Sequence, residues 1–461
     1  MKNTNFGFGW FVSCFWTVFA LVGMASAMPF SLTDSDPASP EFRKNYLGSY
    51  GINAAIEPAL EREDRGVYEE VLPYLSDNPA EAIRILENAI EPDCNAAFNF
   101  LLGSLYYMED KLDDSKKQLE VAIVKHPTFR RAHRTIALIY ARNEDVPNAI
   151  QHLLKVIELG GGDGQSYGML GYAYLNEQKY RSALGAYQNA RVFAPDSYDY
   201  KRGQAQCLLN TNQYEQAIAL YNELIADDPS ESEFWLLQAN AFLALDRREE
   251  TAANLEMARS LGNEDFSNLS LLANIYLQQG AIGIGVDVAS RALQFAEPKN
   301  VDYALRQLDY LVSRGFAAEA DRVIVAFEEW LEPKLGEHDT QAFSARRALV
   351  DFRLGREAIG LDRLEKILEV DPLNGEALIM LGERYQEKDM YSDAEYYYGR
   401  ALSVENSKRK ALLALGKMEV SRGNFGEARK HLSKALDLKF ESNIKKYLDQ
   451  VEEAWRNTRQ S

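Results

Sequence analysis

Motifs that carry chemistry are scarce in this chain of 461 residues, and each absence removes a class of function. Cysteine occurs 3 times and histidine 5 times. No Cys-x-x-Cys pair is present, which excludes a zinc ribbon and a thioredoxin-type redox site. The histidines (His126, His133, His152, His338 and His431) form no His-Glu-x-x-His, and none stands at ligand spacing from another, so no metal site is expected. Gly160–Gly164 lacks the Lys-Ser/Thr of a phosphate loop and reads as a helix stop. Gly283-Ile-Gly285 follows no strand, and there is no Gly-x-Ser-x-Gly elbow. The chain is read as non-catalytic, with no cofactor.

Positive charge is in deficit. Lys and Arg number 51 against 69 Asp and Glu, a formal charge of −18. Such a surface repels phosphate backbones, which argues against nucleic acid and anionic lipid as partners. Disorder is excluded by an apolar content of 46%. At this length one compact core stops growing, so the chain divides into domains or extends in one dimension.

What is present is repetition. Gly103, Ala137, Gly171, Ala205, Ala239 and Ala273 follow one another at steps of 34, as do Tyr106, Tyr140 and Tyr174. Pro127, Pro195 and Pro229 close three units in the same frame, with Gly161 in the place of a fourth proline. A fixed period with small residues and aromatics in fixed slots predicts helix–turn–helix units stacked in an array. Counting from Ala96, slot eight needs a small side chain where two helices approach. Slot eleven holds a large residue and slot twenty-seven a mostly small one (Ala122, Val156, Ala190, Leu224, Ala258, Ala292). After Pro298 the frame slips by one, with Leu308, Leu311, Ala320 and Ile324 in the helix slots. An acidic loop, Glu328–Asp339, lengthens that unit, and the frame resumes at Ala348, Gly382 and Gly416.

Upstream, helical periodicity begins near Arg62, where Val67, Val71, Leu72 and Leu75 share one face. A second helix runs through Ala82, Ile83, Leu86 and Ala89 to Pro92. Downstream, Tyr447, Val451 and Trp455 mark one side of a last helix over Glu441–Arg456. Cys94 and Cys207 sit three repeats apart, which argues against a bridge between them, and both read as small buried apolar residues.

Tyr167, Leu170, Gly171, Tyr174, Ala183, Tyr187, Ala190 and Pro195 occupy all eight signature slots of one unit, and in this the chain resembles the tetratricopeptide repeat family. The resemblance covers about residues 62–440, some eleven units. It implies an all-α right-handed superhelical solenoid with a capping helix over 441–461, whose concave face is lined by the first helix of each pair. It also implies groove slots at two, five, nine and twelve or thirteen. Here those slots hold Arg131, Arg134, Arg142, Tyr172, Asn176, Arg202, Gln206, Asn210, Asn240, Asn274 and Gln278. Asn and Gln pair with both groups of a peptide backbone, and Arg clamps a carboxylate in a bidentate fork. A groove for an extended, acidic or C-terminal peptide is therefore expected. The alternative at these positions is the family's average sequence plus a solvated face.

Between Lys2 and Asp34 there is no charged side chain, and the run Gly9–Met24 ends in Ala25-Ser26-Ala27. This resembles a secretory signal peptide, residues 1–27, cleaved after Ala27. An uncleaved membrane anchor over residues 5–30 is the alternative, and either predicts an exported, periplasmic protein. Residues 28–61, rich in Pro and Gly, read as a linker or strap. The strap around Gly48–Gly51 and the run Ile157–Gly164 resemble repeat proteins associated with TonB–ExbB–ExbD energy-transduction systems. The functional expectation is a protein-binding scaffold in the periplasm. A chaperone or assembly factor that binds unfolded or outer-membrane chains is the alternative.

Overall fold

A computed structural model describes residues 56–460. The expected signal peptide or anchor, and the strap up to residue 55, lie outside the described residues. Every regular element among the described residues is helical. They fall into two compact units, one ending at Asn263 and the other beginning at Glu264.

In the first unit the helices are α1 (Arg65–Val71), α2 (Tyr74–Asp77), α3 (Pro79–Ala89), α4 (Ala96–Met108), α5 (Leu112–Lys125), α6 (Arg130–Arg142) and α7 (Val146–Glu158). They continue as α8 (Gly164–Asn176), α9 (Tyr180–Phe193), α10 (Tyr198–Asn210), α11 (Tyr214–Asp227), α12 (Ser232–Ala244) and α13 (Arg248–Ser260). The second unit begins with α14 (Phe266–Gln278), α15 (Ile282–Leu293), α16 (Val301–Ser313), α17 (Ala317–Trp330), α18 (Glu337–Arg353) and α19 (Glu357–Val370). It ends with α20 (Gly375–Glu387), α21 (Tyr391–Leu402), α22 (Glu405–Ser421), α23 (Phe425–Leu438) and α24 (Ser442–Gln460).

The turn inside each helix pair fixes the frame. Asp110, Glu144, Gln178, Asn212, Asp246 and Gly280 all have positive φ, each 34 residues after the last. The N–H three residues beyond the helix closes back on it, as in Lys179 N–H to Tyr174 C=O at 2.9 Å, the Schellman pattern. The next left-handed residues are Gly315, Gly355, Asp389 and Gly423. The step from 280 to 315 is the one-residue slip, the step to 355 is the lengthened unit, and a period of 34 then resumes.

Small residues at slot eight do what close approach requires. A Cβ on Gly171 would stand 2.9 Å from the Tyr187 ring, and one on Gly103 would stand 2.9 Å from Leu119 Cγ. Ala137, Ala205, Ala239 and Ala273 are buried at the same slot, and the alanines, valine and leucine of slot twenty-seven are buried too. Side chains from successive pairs merge into shared cores. One of these joins Phe100, Phe129, Ile136, Ala149, Leu153 and Leu170, so each pair is covered by its neighbour.

Three local expectations are corrected. Pro73 splits the first expected helix into α1 and α2, because proline offers no N–H to continue it, and Leu72 is exposed rather than core-facing. The acidic stretch Glu328–Asp339 is mostly not loop. Its first residues finish α17, Glu332–Lys334 form a 3₁₀ turn, and Glu337 and Asp339 start α18, where acidic side chains suit the helix N-terminus. Cys207 is buried as expected, whereas the half-buried Cys94 has the Lys125 ammonium 3.2 Å from its sulfur.

Candidate peptide groove

The first helices of successive units touch along the first unit: α4 meets α6, α8 meets α10 and α10 meets α12. Slots two, five, nine and thirteen recur at helical spacing and so share one stripe of each first helix. One contact crosses from one first helix to the next. Arg131, at slot two of α6, places its guanidinium 5.3 Å from the ring centroid of Phe100, at slot five of α4.

Arg131, Arg134, Arg142 and Asn274 of the expected groove side chains are held by side chains elsewhere in this chain. Arg131 donates its Nε–H to Glu57 Oε2 at 3.0 Å, and Arg130 Nε stands 3.9 Å from the other oxygen. Arg134 reaches Asp163 at 2.5 Å, Ser166 Oγ at 2.9 Å and the Gly161 carbonyl at 3.3 Å. Burial alone would raise the Asp163 carboxyl. The Arg134 guanidinium and the Ser166 N–H outweigh it and hold the group below its ordinary value. Asp163 also caps α8, so Arg134 ties one unit to the next. Arg142 donates to Asp110 at 2.7 Å on the surface. In the second unit, Asn274 donates to the Tyr303 hydroxyl and accepts from Gln307 Nε2 at 3.2 Å. These contacts join α14 to α16 across a repeat boundary.

The exposed Asn210 donates to the Gln206 carbonyl of its own helix at 2.8 Å. Tyr172, Gln206 and Asn240 are half-buried and Asn176 is exposed. Arg202, half-buried at slot five of α10, forms no ion pair among the described residues. Its charge acts instead on Tyr187, Tyr198 and Tyr221, and on Glu233 at slot two of α12. Burial pushes the Glu233 carboxyl up, and Arg202 offsets part of that. A guanidinium in this setting, with carboxamides one and two helix turns away, can accept a carboxylate while the amides pair with peptide groups. Gln278, in the second unit, is exposed on α14.

Sequence reasoning missed two features. Glu57 lies 74 residues before Arg131, and no local pattern couples them. The second is a histidine pair: His133 Nδ1 and His152 Nδ1 are 2.8 Å apart. The two stand 19 residues apart on α6 and α7, so their meeting depends on how the helices of one pair face each other. His133 Nε2–H donates to the Pro127 carbonyl at 3.1 Å. Its Nδ1 is therefore the acceptor and His152 Nδ1–H the donor. Among the described residues no group of three or more metal-ligating side chains accompanies them.

A tetratricopeptide repeat family model matches residues 100–164, 169–232 and 208–268. The TPR repeat-containing protein YpiA of Bacillus subtilis (strain 168) is 23% identical over 246 residues, which are 53% of this chain and 56% of that protein. Superkiller complex protein 3 of Homo sapiens is 22% identical over 305 residues, 63% of this chain and 19% of that one. The chain thus spans about half the length of the first relative and about a fifth of the second. Among solved structures, YrrB, a TPR protein with an unusual peptide-binding site, is similar at 18% identity and a TM-score of 0.38, over 42% of this chain and 96% of that one. MamA from Desulfovibrio magneticus RS-1 is similar at 16% identity and a TM-score of 0.34, over 36% and 94%. Over residues 100–164 and 169–268, with the framework slots they contain, the chain is similar to the tetratricopeptide repeat family.

Proposed function

We propose that the protein is a non-catalytic interaction scaffold that holds an extended peptide along the first-helix stripe of α8, α10 and α12. The observation that carries this reading is Arg202. It is a half-buried cation without an ion-pair partner among the described residues, its charge acting on Tyr187, Tyr198 and Tyr221, with Gln206 and Asn210 one and two turns further along its own helix. A half-buried charge is costly when left alone, and an incoming carboxylate supplies the missing partner. Gln and Asn add hydrogen bonds to the backbone of the peptide, each contributing about 0.5–1.5 kcal/mol.

The location we propose is the periplasm, on the strength of the uncharged N-terminal run and its Ala-Ser-Ala end. Within it, a TonB–ExbB–ExbD assembly is the specific setting we put forward. The second reading, a chaperone for unfolded or outer-membrane chains, is favoured by the backbone-directed amides, which read no sequence. Recovery of native partners with the tagged chain separates the two. A scaffold yields one stoichiometric partner that Arg202→Glu abolishes, and a chaperone yields many, largely indifferent to that charge.

A further inference from the structure

The segment entering the first helices is fastened across the N-terminal ends of α4 and α6. Arg130 N–H donates to the Ile56 carbonyl at 3.4 Å, and Asn95 Nδ2 donates to the Ala59 carbonyl at 2.8 Å. Between these two carbonyls, Glu57 lies buried with its carboxylate against Arg131 and Arg130. From Pro58 to Glu61 the backbone has no regular secondary structure. These are the contacts expected of a bound peptide: two carbonyls three residues apart taken by the protein, and an acidic side chain between them hydrogen-bonded to one arginine and within ion-pair distance of a second.

The local sequence explains why the site suits such a segment. Helices α7, α8 and α14 are capped by their own Asp145, Asp163 and Asp265. Helix α6 instead follows Phe129, which supplies no capping oxygen, so its first N–H groups are open to a carbonyl from elsewhere. Beyond Ala59 the chain is anchored separately, since Leu60 packs with Val67 and Tyr68 against the first core.

We infer that Ile56–Ala59 is a ligand bound in cis. It occupies the Arg130–Arg131 end of the first-helix face, and this end accepts in trans an extended segment of another chain bearing a carboxylate at the Glu57 position. The inference rests on the reading of that face as a peptide groove. Because Leu60 holds the chain on the core, the residues before it can leave the arginines without unfolding α1 to α4. The tethered segment is then an internal competitor that sets the threshold for an acidic partner.

The test is fluorescence anisotropy of a labelled synthetic peptide, Ile-Asn-Ala-Ala-Ile-Glu-Pro-Ala-Leu-Glu-Arg, which copies residues 52–62, titrated with the full chain. Glu57→Lys repels its own segment from Arg130 and Arg131 and is expected to bind the probe at least tenfold more tightly than the wild type. Adding Arg131→Glu to that variant is expected to abolish binding. Glu57→Gln, the milder change, is expected to fall between. Equal affinity in the wild type and in Glu57→Lys overturns the inference. So does absence of binding to both Glu57 variants when their helical circular dichroism matches the wild type. Adding Arg202→Glu separates the two proposals, because it leaves the probe affinity unchanged while removing the native partner. If the probe fails but partner recovery still depends on Arg202, the cis-ligand inference alone is lost. If the probe binds but recovery is indifferent to Arg202, the proposed groove alone is lost.

Discussion

His133 and His152 share one hydrogen bond, Nδ1 to Nδ1 at 2.8 Å, with the His152 ring stacked on Tyr140 at 5.5 Å. Burial lowers both imidazoles, and the charge of His133 pushes His152 further, to about 4. Between the ordinary histidine value near 6.5 and about 4, the unfolded chain binds more protons than the folded one. Stability contributed by the neutral pair is therefore complete above the upper value and is lost as pH falls toward the lower. The loss is on the order of 1–2 kcal/mol, allowing for partial solvent access. Urea unfolding of the wild type and of His152→Phe at pH 7 and pH 4.5 checks this. The destabilisation by acid is expected to be smaller in the variant by that amount.

The left-handed turn residues offer a stabilising change. Gln178 has φ of 56° inside the Schellman turn after α8, where glycine carries no Cβ penalty. Gln178→Gly is expected to raise stability by about 1 kcal/mol, and Gln178→Val to lower it by a similar amount or more. Chemical denaturation with an unchanged m-value is the measurement.

Slot eight should be intolerant of bulk. A Cβ on Gly382 would meet the Tyr398 ring at 2.4 Å, and Tyr398 is fully buried. Gly382→Leu is expected to cost on the order of 1–3 kcal/mol or to break the pairing of α20 with α21. Gly399, whose surroundings are open, serves as the tolerant control on α21.

Tyr221 is buried in the core shared by α9 to α12, and its hydroxyl has no hydrogen-bond partner among the described residues. Removing an unsatisfied buried hydroxyl relieves a desolvation cost, so Tyr221→Phe is expected to be neutral or stabilising, by up to about 1 kcal/mol. A loss of more than that in thermal or urea unfolding contradicts the assignment.

Repetition made the framework legible. A period of 34 placed the glycines and alanines of slot eight and the large residues of slot eleven, because these contacts recur within each helix pair. The slip after Pro298 could be read for the same reason. The commitments of the stripe were not legible. Arg131, Arg134 and Arg142 look alike in the sequence, yet their partners Glu57, Asp163 and Asp110 come from a preceding segment, a following cap and the previous turn. Ion pairs across such distances follow from stacking and not from any spacing. The meeting of His133 with His152 was hidden likewise, since it depends on the facing of α6 and α7.

The central claim is that a partner peptide lies on the first-helix stripe between α8 and α12. Site-specific photo-crosslinking in the native host tests it most directly, with a benzophenone side chain placed at Gln206 or Asn240. The same probe at the exposed Val124 and Val192 of the second helices provides the comparison. The account predicts one discrete adduct from Gln206 and Asn240, lost with Arg202→Glu, and none of that mass from Val124 or Val192. The same adduct from the second-helix positions, with none from the stripe, would contradict it.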